Sequence, residues 1–347
     1  MLQTLELTNI RSYSSGLFEF SDGVNIVVGP NASGKTNLLE AIYMSAQGKS
    51  FKSDDGDMIA RDNEWGRIDA VCDELQRVVK LKGRPVKKSF VFDGIDKLRV
   101  SPALTIPVVL FEPFDMLLLG GEPERRRNYL DTLLSQTESG YANLLKDYRR
   151  ALSQRNRLLK DENLQAEHLF VWDVRLSDIG GKLAETRVDY IRSLADQISS
   201  NYQSVSGNKE ILEVSYESKV PLEQYANAML QKLKDSYSLD RARGFTGVGP
   251  HRDDLKILID GNDVRTNASR GETRSIVLAL KMTELALVKQ KLQKKPLLLL
   301  DDVFSELDGK RRRLLAQTLQ NYQTFITTTD ADVVIDHFSE SCNIIPL

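Results

Sequence analysis

The chain has 347 residues, of which 41% are hydrophobic and 28% charged, and its formal net charge is −2. This length favours two domains or one with a large insertion, and the charge excludes a globally basic nucleic-acid binder but not a local basic patch. With 2 cysteines, no long apolar run and no basic-then-apolar leader, we expect a cytoplasmic protein that does not act at a membrane.

The first two elements are predicted to be paired strands. Apolar and polar residues alternate over Leu2–Leu7, and Leu17–Phe20 can pair with them. The turn between the strands carries Arg11. Because the strands would bring that turn close to the glycine loop that follows, Arg11 is a candidate phosphate or base contact. A solvated arginine is an equally good interpretation.

A phosphate-binding loop follows the next strand. Val24–Val28 reads as a buried parallel strand, and helical spacing begins at Thr36. Between them the chain fits G-x-x-x-x-G-K-[ST] without a gap. The loop consists of Gly29, Pro30, Asn31, Ala32, Ser33, Gly34, Lys35 and Thr36. Its backbone N–H groups would face phosphates. Lys35 would reach the β- and γ-phosphates, and the Thr36 hydroxyl would bind Mg²⁺.

Residues 66–111 break into short β-rich segments separated by glycine and proline, as in an antiparallel subdomain. Arg77 to Arg99 contains eight Lys or Arg against two Asp, a net charge of +6. Lys87 and Lys88 lie in this run and are candidate contacts to a DNA phosphate backbone. A solvated surface is the default interpretation of such a run.

Helical spacing dominates residues 119–243, which predicts a helical lobe inserted between the two parts of an ATPase lobe, 1–118 and 244–347. Arg126 falls on an apolar helix face, where a charge is costly unless paired, so we expect a carboxylate or carbonyl partner. A second basic run supplies two more DNA-binding candidates, Arg149 and Arg150. That run contains Lys146, Arg149, Arg150, Arg155, Arg157 and Lys160 against Asp147 alone, a net charge of +5.

Two polar segments follow the helical lobe. His251 and Asp253 lie in Gly-Pro-His-Arg-Asp-Asp, but no third group completes an acid–base set, so we favour a structural or nucleotide-sensing role over catalysis. Ser269, Gly271 and Glu272 then begin a helix, and a Ser–Gly helix start suits an anion. Because the Lys35 loop already holds phosphates in cis, these three residues would complete the site of a second copy.

Four leucines, Leu297–Leu300, predict a strand buried on both faces. Asp301 and Asp302 stand at its carboxyl end, where open α/β sheets bind ligands. Asp301 suits a Mg²⁺ ligand through water, and Asp302 is placed to orient or deprotonate the attacking water. Asp302 and Lys35 are therefore the candidate catalytic residues. The alternative is a strand that simply ends in a polar turn.

In this order, the phosphate loop, Ser-Arg-Gly-Glu and Leu-Leu-Asp-Asp-x-x-Ser-Glu-Leu-Asp resemble the ABC-type ATPases. Within that class the chain is similar to the RecF family of bacterial DNA-repair ATPases over nearly its whole length. Its motifs are Pro123-x-x-Arg126-Arg127-x-Tyr129-Leu130-Asp131, Gln154-Arg155-Asn156-x-Leu158-Leu159 and Gly249-Pro250-His251-Arg252-Asp253-Asp254-Leu255. The implied fold class is α/β: an ABC-type ATPase lobe, with a mixed sheet, phosphate loop and antiparallel β subdomain, and an inserted helical lobe.

The resemblance also implies a function. It implies a protein that binds ATP and Mg²⁺, forms an ATP-dependent homodimer and binds DNA at single-strand gaps or duplex junctions. RecR and RecO would be its partners in loading RecA, and slow ATP hydrolysis would reset the dimer. The alternative is an ATPase subunit of another ABC-type machine, for transport or as a scaffold, that does not act on DNA. A GTPase switch is disfavoured because the Asn-Lys-x-Asp motif is absent.

Three positions depart from the family pattern. Phe114 stands where an acid is usual, Ala32 replaces a loop glycine, and Glu272 replaces a commoner Gln. Because no His follows the last strand closely, sensing of the γ-phosphate there would fall to Thr328 or a neighbour.

Overall fold

The computed structural model describes residues 1–83, 85–161, 166–338 and 342–347. Arg84, one cation of the first basic run, lies outside the described residues. The chain divides into two compact units: Met1–Asp115 with Val288–Leu347, and Met116–Leu287. No helix among the described residues is both long enough and apolar enough to cross a bilayer.

The strands and helices have the following bounds. The strands are β1 (Leu2–Ile10), β2 (Tyr13–Glu19), β3 (Val24–Val28), β4 (Trp65–Cys72), β5 (Leu75–Lys82), β6 (Lys87–Phe92), β7 (Ile95–Lys97), β8 (Val108–Phe111), β9 (Leu212–Glu217), β10 (Asp254–Ile259), β11 (Asn262–Asp263), β12 (Leu297–Asp301), β13 (Thr324–Thr328) and β14 (Asn343–Pro346). The helices are α1 (Lys35–Gln47), α2 (Leu117–Gly120), α3 (Pro123–Thr137), α4 (Tyr141–Leu159), α5 (Ala166–Ser206), α6 (Tyr225–Asp235), α7 (Tyr237–Arg243), α8 (Val264–Asn267), α9 (Arg270–Leu292), α10 (Val303–Glu306), α11 (Gly309–Leu319) and α12 (Asp332–Ile335).

The first unit contains a parallel sheet with the strand order β14-β3-β13-β12-β8. Its central strands β3, β12 and β13 are almost wholly buried, as expected of strands covered on both faces. We predicted Pro107–Phe111 to lie in the antiparallel subdomain, but the structure places β8 in this sheet, parallel to β12. The sequence of a short apolar strand does not reveal which strand it pairs with.

The second sheet of this unit is antiparallel, with the order β2-β1-β4-β5-β6-β7. Helix α1 packs against both sheets, and one hydrophobic cluster joins its Leu38 and Ile42 to Leu5 of β1 and Leu299 of β12. Buried side chains surround α1 on all sides, which is typical of a helix inside a core. The start of α1, which ends the phosphate loop, is therefore held on a rigid support.

The second unit consists of helices and a small sheet with the order β11-β10-β9. We predicted helical patterning to about residue 240, with breaks near residues 161–167 and 207, but residues 212–217 form β9, which pairs antiparallel with β10. Because this pairing joins residues on both sides of the predicted boundary at 243/244, the helical unit continues to Leu287. The alternating sequence Leu-Glu-Val-Ser-Tyr-Glu was a usable strand signal.

The expected partner of Arg126 is confirmed. Its Nε and Nη2 donate to the two carboxylate oxygens of Asp254 at 2.7 and 2.8 Å. Its Nη1 donates to the carbonyls of Leu118, Leu119 and Gly121. Because this guanidinium is buried, loss of Asp254 alone would leave an unpaired charge at a cost of about 3–5 kcal/mol.

Arg155, which we counted in the second basic run, is not on the surface. Its side chain is fully buried and donates to Asp173, Asp240 and Thr246. Helical spacing alone could not distinguish this arginine from its exposed neighbours, because its partners come from α5, α7 and the loop after α7. The surface run therefore carries one charge fewer than predicted.

Candidate functional site

The phosphate loop has the backbone that its glycines predict. Gly34 has φ 106°, a region that favours glycine. A Cβ on Gly29 would lie 2.7 Å from the Ser33 Oγ, so this position admits no side chain without movement. Lys35 Nζ donates to the carbonyls of Gly29 and Pro30 at 2.7 and 2.8 Å. The lysine therefore lies along the loop rather than in solvent.

Ala32 stands at φ 66°, in the left-handed region, which explains why a glycine is usual there. We expect Ala32→Gly to raise stability by up to about 1 kcal/mol, because the relieved strain exceeds the added freedom of the unfolded chain. Thermal unfolding checks this, with a rise in Tm of up to about 3 °C. Ala41→Gly, the same change inside α1, should instead lower Tm. A fall in Tm for Ala32→Gly would contradict the strain at this position.

The loop fits a polyphosphate group. The Ser33 Oγ is buried, and no hydrogen-bond partner among the described residues satisfies it. Buried hydroxyl groups normally have partners, so this orphan indicates a ligand that the loop can bind. Lys35 supplies a positive charge on the same loop, and α1 begins there with its N–H groups. A donor set of this kind, with no carboxylate in the loop, suits an anion.

Thr36 and Asp301 are in direct contact. The Thr36 Oγ1 lies 2.9 Å from both carboxylate oxygens of Asp301. Thr327, at the carboxyl end of β13, donates to Asp301 Oδ1 at 2.7 Å and fixes its orientation. One hydroxyl and one carboxylate beside a phosphate loop suit Mg²⁺, which is usually held by one or two protein ligands plus phosphate and water. The structure thus brings together the two residues predicted to hold the metal.

Asp302 follows at the end of β12 with φ 51°. Its backbone N–H donates to Thr327 Oγ1 at 2.9 Å, and Ser305 Oγ donates to its Oδ1 at 3.1 Å. Thr327 therefore positions both acids of the motif. In the sequence, Thr327 stands out only as a residue at the carboxyl end of a predicted strand. That position was the one signal that it could contact the acids at the carboxyl end of β12.

Arg11 is part-buried, and a bidentate ion pair holds its guanidinium. Its Nε and Nη2 donate to the two carboxylate oxygens of Glu40 at 2.8 and 2.7 Å, and Nη2 also donates to Ser53 Oγ. The Glu40 side chain is fully buried in α1. A bidentate pair of this kind fixes the turn against α1. A nucleotide contact by Arg11 would have to be made alongside this pair.

Ser269 and Glu272 form a capping box at the start of α9. The Ser269 N–H donates to Glu272 Oε2 at 2.7 Å, and the Glu272 N–H donates to Ser269 Oγ at 3.2 Å. The pKa of Glu272 is lowered, chiefly by hydrogen bonding to the Ser269 side chain and next to its backbone. Glutamate and glutamine both serve in a capping box, so the departure at this position is structurally conservative. Gly271 lies between them in the first turn.

His251 and Asp253 are not paired with each other. His251 lies 2.7 Å from Tyr148 OH and 3.0 Å from the Thr246 carbonyl, and burial lowers its pKa to about 4. Asp253 accepts hydrogen bonds from Tyr216, Tyr225 and Ser218, and burial raises its pKa. These contacts support the structural interpretation.

The four DNA-binding candidates differ in how available they are. Lys87 is exposed, but Lys88 is part-buried, pairs with Asp55 and donates to the Gly48 carbonyl. The side chains of Arg149 and Arg150 are 63% and 68% exposed. Lys88 therefore links its strand to the end of α1 and to the segment that follows that helix, whereas the side chains of the other three are exposed to a ligand in solution.

A parallel sheet with a phosphate loop, paired acids and a helical insertion defines the ABC-type ATPase class. A family model described as an AAA domain matches residues 4–236. The fold is also similar to an SMC head bound to the C-winged helix domain of ScpA, with a TM-score of 0.52 and 16% identity over 97% of this chain and 91% of that one.

Relatives at higher identity define the family. The DNA replication and repair protein RecF of Lachnoclostridium phytofermentans is 38% identical over 98% of this chain and 96% of its own. RecF of Streptococcus pyogenes serotype M49 is 37% identical over 98% and 94%. A solved structure of the recombination mediator protein RecF-ATP in the RecFOR pathway has a TM-score of 0.87 and 32% identity, covering 95% of this chain and 92% of that one. The chain belongs to the RecF family.

Proposed function

We propose that this protein is an ATPase of DNA recombination and repair that binds ATP and Mg²⁺ at its phosphate loop. The observation that carries the proposal is the contact of Thr36 with Asp301, 2.9 Å long, directly beside Lys35. A strand that simply ends in a polar turn would not require a hydroxyl, a carboxylate and a lysine to lie together beside a loop that suits phosphates. Membership of the RecF family, one of whose solved members is a complex with ATP, supports the choice of nucleotide.

Each residue then has a chemical task. Lys35 would turn from the loop carbonyls to the β- and γ-phosphates, where its charge offsets theirs. Thr36 and Asp301 would hold Mg²⁺, the aspartate through water, and a bound Mg²⁺ neutralises charge on the phosphates. Asp302 would orient or deprotonate the attacking water, with Ser305 and Thr327 positioning it. Arg11 would contact the nucleotide from the turn that Glu40 holds.

The cycle would couple ATP to DNA. Two copies would dimerise on binding ATP, with Ser269, Gly271 and Glu272 of one copy facing the γ-phosphate bound by the other. The dimer would bind DNA at single-strand gaps in the cytoplasm, through phosphate contacts that include Lys87, Arg149 and Arg150, and slow hydrolysis would release it. By family resemblance, RecR and RecO would be its partners in loading RecA.

ATP turnover with and without gapped DNA tests this function. We expect weak ATP turnover that gapped DNA stimulates. We expect no turnover by the Lys35→Ala protein, because its loop lacks the positive charge that faces the phosphates. Turnover that is indifferent to DNA would instead favour an ATPase of another ABC-type machine. Unchanged ATP affinity in Lys35→Ala would refute the assignment of the loop.

A further inference from the structure

A cationic cleft lies where α4 ends and α7 ends. It has a volume of about 580 Å³. Among the described residues that line it are three cations, Lys160, Arg241 and Arg243, and one carboxylate, Asp161. Lys160 and Arg243 are exposed, and Arg241 donates to the Tyr237 hydroxyl. A shallow, open, cationic surface of this kind suits a phosphate chain.

An aromatic ring stands next to this cleft. Phe245 directly follows Gly244, which lines the cleft, and remains 39% exposed. The guanidinium of Arg252 lies 5.0 Å from the centre of its ring. A cation over an aromatic ring is attracted to it, so Arg252 holds one side of a ring that keeps part of its surface exposed. We call Lys160, Arg241, Arg243, Phe245 and Arg252 the Phe245 cluster.

The loop that carries Phe245 is held in place by hydrogen bonds that involve buried side chains. Thr246 is fully buried, and its N–H and hydroxyl both donate to Asn156 Oδ1, at 2.8 and 2.7 Å. The buried Arg155 donates to Thr246 Oγ1 and to Asp240, whose other oxygen accepts from the Gly247 N–H. An exposed ring held in one position loses little freedom on binding. The burial of these anchors therefore makes Phe245 a preformed contact surface.

We propose that the Phe245 cluster binds single-stranded nucleic acid, with backbone phosphates in the cleft and an unpaired base on Phe245. Charge alone would serve a duplex equally well, but bases inside a duplex are stacked on each other and cannot reach a protein ring. A cationic surface combined with an aromatic ring on which a base can stack is the arrangement that binds single strands without reading sequence. The inference rests on the DNA binding proposed above and assigns its single-stranded part to these residues.

Fluorescence anisotropy of the full chain tests this assignment, with labelled oligo-dT and a duplex titrated over a series of salt concentrations. Phe245→Ala should weaken oligo-dT binding roughly 5- to 150-fold, the range for the loss of one stacked base. It should leave the salt slope and duplex binding unchanged, because phenylalanine carries no charge. Phe245→Tyr should bind as the wild type does.

Arg243→Glu should act differently. It should weaken oligo-dT binding and reduce the salt slope by about 0.7 for each phosphate that the protein no longer neutralises. Two matched controls come from the same unit. Phe170 is 49% exposed with Lys234 Nζ 5.3 Å from its ring centre, so Phe170→Ala removes a comparable ring that is not part of the Phe245 cluster. Arg192 has a 77% exposed side chain, and Arg192→Glu makes the same charge change away from the cluster.

The outcomes separate the two proposals. Wild-type protein that binds no DNA would overturn both. If the wild type binds DNA but Phe245→Ala binds oligo-dT no more weakly than Phe170→Ala does, only the assignment to the Phe245 cluster is overturned. Equal losses of oligo-dT and duplex binding in Phe245→Ala would have the same consequence. If oligo-dT binding is unchanged in Arg243→Glu while binding of labelled poly-glutamate is lost, the cleft serves an acidic protein segment and the inference is wrong. Unchanged thermal unfolding of both variants would show that a loss is not due to misfolding.

Discussion

Asp302→Asn is expected to slow ATP hydrolysis by about 100-fold or more while ATP binding and ATP-dependent dimerisation persist. A positioned base contributes about 10²–10⁴ to the rate of a step in which it takes a proton. Asparagine has the same shape but cannot accept that proton. Because Lys35 and the Thr36–Asp301 contact are untouched, the ground-state complex should form as before.

The exchange should also leave the local fold intact. Asp302 has φ 51°, and asparagine tolerates this left-handed backbone as well as aspartate does. The Ser305 hydroxyl can still donate to the side-chain oxygen. Asp62→Asn is a matched control, because Asp62 is exposed, lies in the same unit and has φ 66°. Single-turnover hydrolysis measured beside nucleotide binding decides the matter. Turnover within a few-fold of the control would show that Asp302 does not act on the water.

The parts of this molecule that could be predicted from sequence are those specified within a few residues. The phosphate loop needs Gly29 and Gly34 for steric reasons, so its motif and its conformation come together. Four leucines before Asp301 predict a strand buried on both faces, which places the acids at the carboxyl end of a parallel strand. The ABC-type fold class followed from these motifs and their order, and the structural similarities confirm it.

The parts that could not be predicted depend on residues far apart in the chain. Arg155 looked like a surface cation because its partners, Asp173 and Asp240, come from two other helices. Arg11 looked available because nothing in the sequence around it indicated a pair with Glu40, which is buried in α1. The parallel partner of β8 lies in β12, nearly two hundred residues later. Local spacing carries no information about such pairs, whereas the energy of a buried charge depends on them.

The start of α9 is exposed, and it is the surface that we propose meets the nucleotide of a second copy on dimerisation. Ser269 is exposed, and its hydroxyl is shared within the capping box with Glu272. That hydroxyl accepts from the Glu272 N–H and still has one proton to donate. A γ-phosphate bound by a second copy would compete with the Glu272 carboxylate for this proton, and an anion at a helix start gains about 0.3–1 kcal/mol even at exposed sites.

Ser269→Arg is expected to leave ATP binding by the monomer near normal but to prevent ATP-dependent dimerisation and, with it, turnover. The long side chain would fill the space that the partner's phosphate must approach. Losing the cap costs about 0.5–2 kcal/mol by itself, so a separate variant must account for that loss. Ser269→Ala removes the same cap without adding bulk and should only weaken the dimer.

Light scattering with ATP compares the three proteins over a range of concentrations. If Ser269→Arg dimerises at wild-type concentrations, the serine does not act on a partner's nucleotide. If the alanine variant loses the dimer completely, the capping box rather than access to the phosphate controls assembly.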